Sequence, residues 1–571
     1  MRAETVHIRQ MDRWDNPLDP TMSPEQVERI LALDMFRNMD AGSFPALLSL
    51  PRLVLNETRL VEYQRGDLVV RAGDYGSSAF LVVRGNVAVI LPPGLPAELL
   101  GRSAPKRKSL FQVLRQLWND SRMPETSHYT SPTAGPGAIT RSAGRSDSTR
   151  VTLANVDTLL SKQPSVILEA GDLFGEIGAL GRFPRSVSVV ATMDVEILEI
   201  RWQGLRDFRR YDAHFRDHLN QLYRERSLKA HLRETPVCRH LAQELLTDLE
   251  QAAISEVYGE TDANNPFWRP QGESPSDRLA QEPMIVAEGQ VLDGLVLIQS
   301  GFARISQKFN HGHRTVGFLG RNRMFGLSEA LQQWRTGHPV PSQFSLRAIG
   351  YVQTLRLPYA ILASHVLPHL APEFAQAALT TRNGTVFEGL DREDVGLIEF
   401  LVEYHYINAT AAMLINLDRC VRCDECVQAC ARAHDNNPRF LRKGRRHDAV
   451  MVATACMHCL DPVCMIGCPT GAIHRNERGG EVLINDRTCI GCGTCANSCP
   501  YGTILMVETR DAAGRYQHNQ ETGLPILKAT KCDLCLEQWG GPACQRACPR
   551  HALLRANMWD TRNLRRWMGW R

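Results

Sequence analysis

Hydrophobic positions along the chain change period several times, and each change marks an element boundary. From about 22 to 60 the apolar residues Val27, Ile30, Leu31, Leu33, Met35 and Phe36 recur at helical intervals. The period then shortens. The stretch Gly66-Asp67-Leu68-Val69-Val70-Arg71-Ala72-Gly73 and the run from Ser78 to Ile90 predict short strands punctuated by glycine turns. Strand-like sequence resumes at Ser165-Val166-Ile167-Leu168 and at Gly171-Asp172-Leu173-Phe174-Gly175-Glu176. Apolar residues then alternate at Val187, Val189, Val190, Val195, Ile197 and Ile200, and a helix is predicted from about 202 to 233.

Between these strands, from about 93 to 163, the pattern breaks. The segment is rich in Ser, Thr, Arg, Pro and Gly, which predicts a disordered insertion with one short helix around FQVLRQLW. A solvated surface loop and a docking element are both open readings of it. The helix–strand succession then repeats from about 236 to 370. It has Leu241, Leu245, Leu246 and Leu249 on a helix, then Val286-Ala287-Glu288-Gly289, the run from Gly294 to Gly301, and Met324-Phe325-Gly326. This duplication marks two copies of one β-rich module with flanking helices. A helical connector, 371 to 412, leads to the last quarter of the chain.

Composition narrows the class. At 571 residues the chain is too long for one core, and about 150 residues per domain gives roughly three or four domains. Charged residues at 22% and a formal net charge of +4 are ordinary for a soluble protein and give no argument for nucleic-acid binding. No apolar run approaches the roughly 20 residues needed to span a bilayer. The first residues, MRAETVHIRQMDRWDNPLDP, have neither the apolar core of a secretory signal nor a twin-arginine pair. A cytoplasmic protein is the expectation.

Chemistry enters with the cysteines. Of 17, all but Cys238 lie between Cys420 and Cys548, in four groups. These are Cys420, Cys423, Cys426 and Cys430; Cys456, Cys459, Cys464 and Cys468; Cys489, Cys492, Cys495 and Cys499; and Cys532, Cys535, Cys544 and Cys548. Pro469, Pro500 and Pro549 follow the last three groups. Three close thiolates and a fourth one helical turn on are the ligand pattern of [4Fe–4S] clusters, which pass single electrons. Zinc also takes four cysteines, but its ribbons show paired CxxC knuckles rather than this repeat. Cys238 is expected as a plain helix residue.

The first β-rich copy resembles the cyclic nucleotide-binding domain family. The resemblance rests on Phe174-Gly175-Glu176-Ile177-Gly178-Ala179-Leu180 and on Pro184-Arg185-Ser186-Val187. The family's phosphate cassette has this form, inside a small β-barrel. It implies that Glu176 holds a ribose 2′-hydroxyl, Arg185 the phosphate of cAMP or cGMP, and Ser186 and the Gly175 turn further contacts. Backbone N–H groups and one guanidinium suit a singly charged cyclic phosphate. The second copy departs. In Phe325-Gly326-Leu327-Ser328-Glu329-Ala330 the glutamate is displaced, Pro339-Val340-Pro341-Ser342-Gln343 lacks the arginine, and Arg335 lies too early to replace it. The second barrel is therefore expected to be structural or coupling.

Residues 413 to 557 resemble the iron–sulfur electron-transfer subunits of molybdopterin oxidoreductases. The match includes Leu417-Asp418-Arg419-Cys420, Cys456-Met457-His458-Cys459, Asp461-Pro462-Val463-Cys464, Lys531-Cys532-Asp533-Leu534-Cys535 and Pro542-Ala543-Cys544. The resemblance implies crossed ligand sets, with each fourth cysteine at a helix start and reaching a neighbouring cluster. Cys548 would then join Cys420, Cys423 and Cys426, and Cys430 would join Cys532, Cys535 and Cys544. Cys499 would join Cys456, Cys459 and Cys464, and Cys468 would join Cys489, Cys492 and Cys495. His458, between two ligands, is expected to tune a sulfur by hydrogen bonding.

No catalytic triad, P-loop or flavin fingerprint stands out. The C-terminal tail from 558, with three tryptophans and four arginines, fits a partner, an anionic membrane surface or a segment folded back on the cluster domain. The expected fold class is α+β multidomain: two cyclic-nucleotide-binding-type barrels at 22–235 and 236–370, then a duplicated ferredoxin-like domain. The expected function is electron transfer through four [4Fe–4S] clusters to a flavin- or molybdopterin-containing catalytic subunit, controlled by cyclic nucleotide at the first barrel. The open alternatives are a constitutive subunit with docking barrels, and a redox-linked nucleotide sensor. Along the chain, the second barrel and the connector stand between the cassette and Cys420. Control is therefore expected to travel through them.

Overall fold

The computed structural model describes residues 5 to 558 apart from 92–93, 97–98, 101–137, 142–149, 182–183, 239–240, 260–278, 280–281, 310–311, 321–322, 373–374, 377–399, 402, 435, 478, 512–513, 537 and 539. By internal contacts the chain divides into two compact units. Residues 1–223, 413–445 and 451–555 form one, and residues 224–412, 446–450 and 556–571 form the other.

In the first unit, the helix Pro24–Leu31 starts at a capping box in which Ser23 and Gln26 bond each other's backbone N–H groups. Its buried face, Val27 and Ile30, packs with the helix Leu50–Glu57 and with Phe36, Leu205 and Phe208 in one core. Two four-stranded antiparallel sheets follow. One orders Leu68–Val70, Ser188–Ala191, Val87–Ile90 and Ser165–Leu168; the other orders Thr58–Tyr63, Val195–Arg201, Ser78–Arg84 and Leu173–Phe174. Inward residues Val70, Phe80, Val82, Val189 and Ile197 fill the space between them. The predicted helix from 202 breaks once. Trp202–Tyr211 ends at Asp212, whose carboxylate accepts the N–H of Phe215 at 2.6 Å and so starts Ala213–Glu234.

The expected insertion is shorter than its composition suggests. Arg150–Leu153 is a strand and Val156–Lys162 a helix. Val151, Leu153 and Val156 share an apolar core with Ala88, Ile90, Val190 and, from the other end of the segment, Leu95 and Leu100. Burial of this alternating apolar set makes both ends part of the barrel. The expected helix around FQVLRQLW lies outside the described residues.

The cysteine-rich half of this unit is built on a sheet ordered Phe440–His447, Val450–Ala455, Ala412–Asn416 and Leu553–Ala556, with antiparallel pairs Ile473–Arg475 with Val482–Ile484 and Leu505–Glu508 with Leu527–Thr530. The N-terminal strand Thr5–Ile8 runs parallel to Tyr516–Asn519. The first barrel meets this half directly: the N–H of Tyr75 donates to the carbonyl of Glu477 at 2.7 Å. The expectation that the second barrel and the connector would stand between the cassette and the cysteines is therefore corrected. Long-range strand pairing, invisible in a linear reading, brings residues 413–555 back to the first barrel.

The second unit holds a six-stranded antiparallel sheet in which Ile254–Tyr258, Ser345–Pro358, Gly294–Phe309 and Gly312–Leu319 lie side by side, with Met284–Val286 and Met324–Phe325 attached. Its core includes Val286, Val296, Ile305 and Leu346. Cys238 is fully buried beside Leu232 and Leu249, in the turn after Ala213–Glu234 rather than within a helix. Most of the connector 371–412 and of the tail from 558 lies outside the described residues. Among the described residues, no helix is long and apolar enough to cross a membrane.

Candidate functional site

The cassette of the first barrel turns on Gly175, whose φ of 77° is open to glycine at no steric cost. Glu176 opens the helix Glu176–Gly181 and is only 1% exposed. Arg185 returns on the next extended stretch, where Tyr75 pairs with Pro184 and the N–H of Arg185 donates to the carbonyl of Asp74 at 2.8 Å. The guanidinium donates to the carbonyls of Gly175 and Ser78, both at 2.5 Å, and lies over the Phe80 ring. It threads between glycines: a Cβ on Gly178 would come within 3.0 Å of it, and one on Gly76 closer still. Burial lowers its pKa to about 10, against the pull of Glu199, Glu176, Asp74 and Glu477.

A cavity of about 960 Å³ opens beside it. Of the four residues expected to meet a ligand, Arg185 lines this cavity. Gly175 holds the guanidinium, Glu176 is buried at the helix start, and Ser186 is exposed and outside the lining. Ser186 follows Arg185 in a bend of the chain, and its expected contact with a ligand belongs to the proposed site.

The second barrel repeats the frame without the cation. Val291 pairs with Pro341 as Tyr75 does with Pro184. Gly289 and Gln290 exchange bonds with Ser342 as Gly73 and Asp74 do with Arg185, all at 2.7 to 2.8 Å. Ser342 therefore stands where Arg185 stands, and its hydroxyl donates to the carbonyl of Phe344. Leu327 follows Gly326 (φ 96°) in the place of Glu176, while Glu329 sits further along the helix Leu327–Thr336. Arg335 is exposed in the last turn of that helix.

The sixteen cysteines converge in four groups. Cys420, Cys423, Cys426 and Cys548 wall one small cavity, and Cys468, Cys489, Cys492 and Cys495 wall another. The Cys459 thiol is pushed up by burial and then by Cys456, Cys464 and Cys499. The Cys544 thiol is pushed up to about 12 by burial, opposed by Arg555 and reinforced by Cys532, Cys430 and Cys535. Each fourth cysteine thus lies with a set from another motif. The third cysteine of each motif sits in the short helices Glu425–Arg432, Val463–Ile466, Thr494–Ser498 and Ala543–Arg546. The fourth lies within the first of these helices and just past the end of the others, not at a helix start. Three intervening residues carry the chain about one turn, and the following proline cannot continue the helix.

These groups suit an iron–sulfur core. Four thiolates crowded in a buried space repel one another until a cation joins them, and donors already face the sulfurs. Backbone N–H groups of His458, Arg439 and Ala552 reach Cys456, Cys430 and Cys548 at 3.4, 3.3 and 3.2 Å, and the guanidinium of Arg555 reaches Cys532 at 2.8 Å. The loops turn inward through residues of positive φ, including Arg422, Asp424, His458 and Leu534. His458 thus meets a sulfur through its backbone N–H, and its ring makes a further bond. Its Nδ1 accepts the N–H of Val482 at 3.2 Å, and burial, then Lys531 and Arg555, push its pKa well down.

Residues the motifs did not announce complete the site. Arg475 donates to the carbonyls of Cys459 and Leu460 at 3.0 and 2.6 Å, and buried Lys531 donates to those of Val482 and Cys532. These fixed cations would offset the negative charge of thiolate-ligated clusters held there. Asp74, Tyr75, Gly76 and Ser78 complete the cassette from another strand. The one local signal for them was the glycine-flanked turn Gly73-Asp74-Tyr75-Gly76.

Comparison with known proteins agrees with both halves. The family model of the 4Fe-4S dicluster domain matches residues 447–557, and that of the cyclic nucleotide-binding domain matches residues 150–212 and 277–366. The chain is 35% identical over 151 residues to the putative oxidoreductase AegA of Escherichia coli, covering 25% of this chain and 21% of that protein. It is 35% identical over 156 residues to the electron transport protein HydN of Escherichia coli, covering 25% of this chain and 85% of HydN. It is 30% identical over 184 residues to the arsenate respiratory reductase iron–sulfur subunit ArrB of a Shewanella species, covering 24% and 78%. Through its cysteine-rich quarter the chain belongs to the family of 4Fe-4S iron–sulfur electron-transport proteins, here joined to cyclic nucleotide-binding domains.

Proposed function

We propose that this protein passes single electrons through four [4Fe–4S] clusters to or from a catalytic oxidoreductase subunit, and that cyclic nucleotide at the first barrel controls the transfer. The observation that carries the reading is the convergence of sixteen cysteines into four groups of four, each completed by a cysteine from another motif. Cys420, Cys423, Cys426 and Cys548 would hold one cluster, and Cys532, Cys535, Cys544 and Cys430 its neighbour. Cys456, Cys459, Cys464 and Cys499, and Cys489, Cys492, Cys495 and Cys468, would hold the inner two. A bound cluster supplies one-electron chemistry at a potential set by its charge, hydrogen bonds and exposure. The chain's own residues fix those factors, through Arg555 at Cys532 and the backbone donors at Cys430, Cys456 and Cys548. A cytoplasmic location and a catalytic partner are parts of the same reading.

Anaerobically prepared protein should contain about 16 iron and 16 sulfide atoms per chain, four of each for every cluster. Zinc in place of iron, or close to eight irons, overturns the four-cluster reading.

A second reading, barrels as docking modules only, draws on one observation: the Arg185 guanidinium already bonds the carbonyls of Gly175 and Ser78. Calorimetric titration of the full chain with cAMP and cGMP separates the two readings. Saturable binding favours control, and none favours docking.

A further inference from the structure

The cavity beside Arg185 has two walls of different origin. Arg71, Asp74 and Arg185 come from the first barrel, while Thr470, Arg475 and Glu477 come from the cysteine-rich half of the same compact unit. Its volume of about 960 Å³ lies within the range of roughly 300–1,000 Å³ typical of small-molecule sites. The walls are joined at one corner. There Tyr75 N–H meets the carbonyl of Glu477, Arg71 lies 2.7 Å from Asp74 and 3.9 Å from Glu477, and the Arg475 guanidinium sits 5.0 Å from the centre of the Tyr75 ring. Gly480 presses against that ring so closely that a Cβ there would overlap it. Arg475 also reaches the other way, donating to the carbonyls of Cys459 and Leu460 inside the second cysteine motif.

We propose that the anionic ligand of the first barrel binds in this two-walled chamber, and that Arg475 couples its occupancy to the cluster site of Cys456, Cys459, Cys464 and Cys499. The inference rests on the reading of the first barrel as a nucleotide receptor and adds where the ligand sits and which residue carries the signal. The reason is electrostatic. One guanidinium faces both the chamber and the Cys459–Leu460 loop, so a phosphate in the chamber and an added electron at the cluster compete for the same positive charge. Ligand binding lowers the cluster's potential. By reciprocity, reduction weakens ligand binding by the same factor. The second barrel is not part of this route.

The test is the affinity of the full, cluster-loaded chain for cAMP and for cGMP, measured on the oxidised protein and again after anaerobic reduction with dithionite. The reduced protein should bind more weakly by a factor in the typical range of about 5- to 150-fold. A tenfold ratio corresponds to a potential fall of about 59 mV for a one-electron couple. In Arg475→Gln the ratio should move to one while binding persists. Tyr75→Ala, which leaves the carbonyl bonds of Arg475 in place, should reduce the ratio. Binding of equal strength in both redox states of the wild type overturns the coupling and leaves the receptor reading intact. Absence of binding in either state overturns both. A wild-type ratio retained in both variants overturns the route through Arg475.

Discussion

The cassettes of the two barrels differ at two side chains, Arg185 against Ser342 and Glu176 against Leu327. Backbone pairing around Arg185 and Ser342 is equivalent bond for bond, so at this point the cassettes differ in chemistry and not in backbone frame. Hydrogen bonds to a charged group are worth about 1.5–3 kcal/mol, so Arg185→Ala should weaken cyclic-nucleotide binding roughly 10- to 150-fold by calorimetry. Gly76→Val should weaken it as well, since a side chain there displaces the guanidinium. Cys238 allows a second check at this scale. Its thiol is fully buried and pushed up to about 12 by that burial, and the thiolate is the reactive form. Native cluster-loaded protein at pH 8 should therefore show no fast reaction with a thiol reagent at Cys238, and unfolding should expose it. Arg185 was legible because its neighbours in sequence carry the pattern. The carbonyl of Ser78 and the glycine at 76 were not, because they arrive from another strand.

Among elements, the short helices of the cysteine motifs decide which thiols meet. The helices Glu425–Arg432 and Ala543–Arg546 pack together, which brings Cys430 near Cys544 and Cys548 near Cys426. Cys430→Ala should accordingly perturb the cluster beside Cys532, Cys535 and Cys544, seen as the loss of one set of paramagnetic resonance signals on reduction. Loss of a cluster held wholly within the first motif would contradict the crossed sets. A buried charge network ties other elements together. Glu57 on the helix Leu50–Glu57 accepts from Arg13 at 2.6 and 3.0 Å and from Arg201, and Arg13 also pairs with Asp207 at 2.8 Å. Removing one partner of a buried pair strands the others, so Glu57→Ala should cost about 3–5 kcal/mol in denaturant unfolding. Helix and strand periods were readable along the chain. This network was not, because its members lie at opposite ends of the barrel's sequence.

For the whole molecule, the division into two compact units predicts how it comes apart. The cores beneath the cysteine motifs are small and include the cysteines themselves, with Cys426, Cys430, Cys544 and Cys548 in one and Cys468, Cys489 and Cys495 in the other. Where ligands form the core, the free energy of metal binding is folding free energy. Calorimetry should therefore resolve two transitions, and stripping iron with a chelator should lower the one belonging to residues 1–223 and 413–555. The transition of the second barrel should stay in place, since its cores, with Val286, Val296, Ile305 and Leu346 in one and Leu295, Leu355 and Cys238 in the other, contain none of the sixteen motif cysteines. A matching shift of both transitions would mean that the units do not unfold separately.

Cysteine spacing, the run from Phe174 to Leu180, the change of hydrophobic period and the duplication are all local in the chain. The chemistry they announce, thiolate groups in fours and one cassette with its arginine, is therefore written in adjacent residues. What lies beside what is a different matter. That Tyr75 meets Glu477, that Thr5–Ile8 pairs with Tyr516–Asn519, and that Arg475 faces both a nucleotide-type cavity and a cysteine loop depend on contacts between residues some 400 to 500 positions apart. Such contacts form only when apolar faces from distant segments find a common core and their backbone groups find partners, which no local pattern encodes. Folding, not motif order, therefore set the first barrel against the cysteine-rich half.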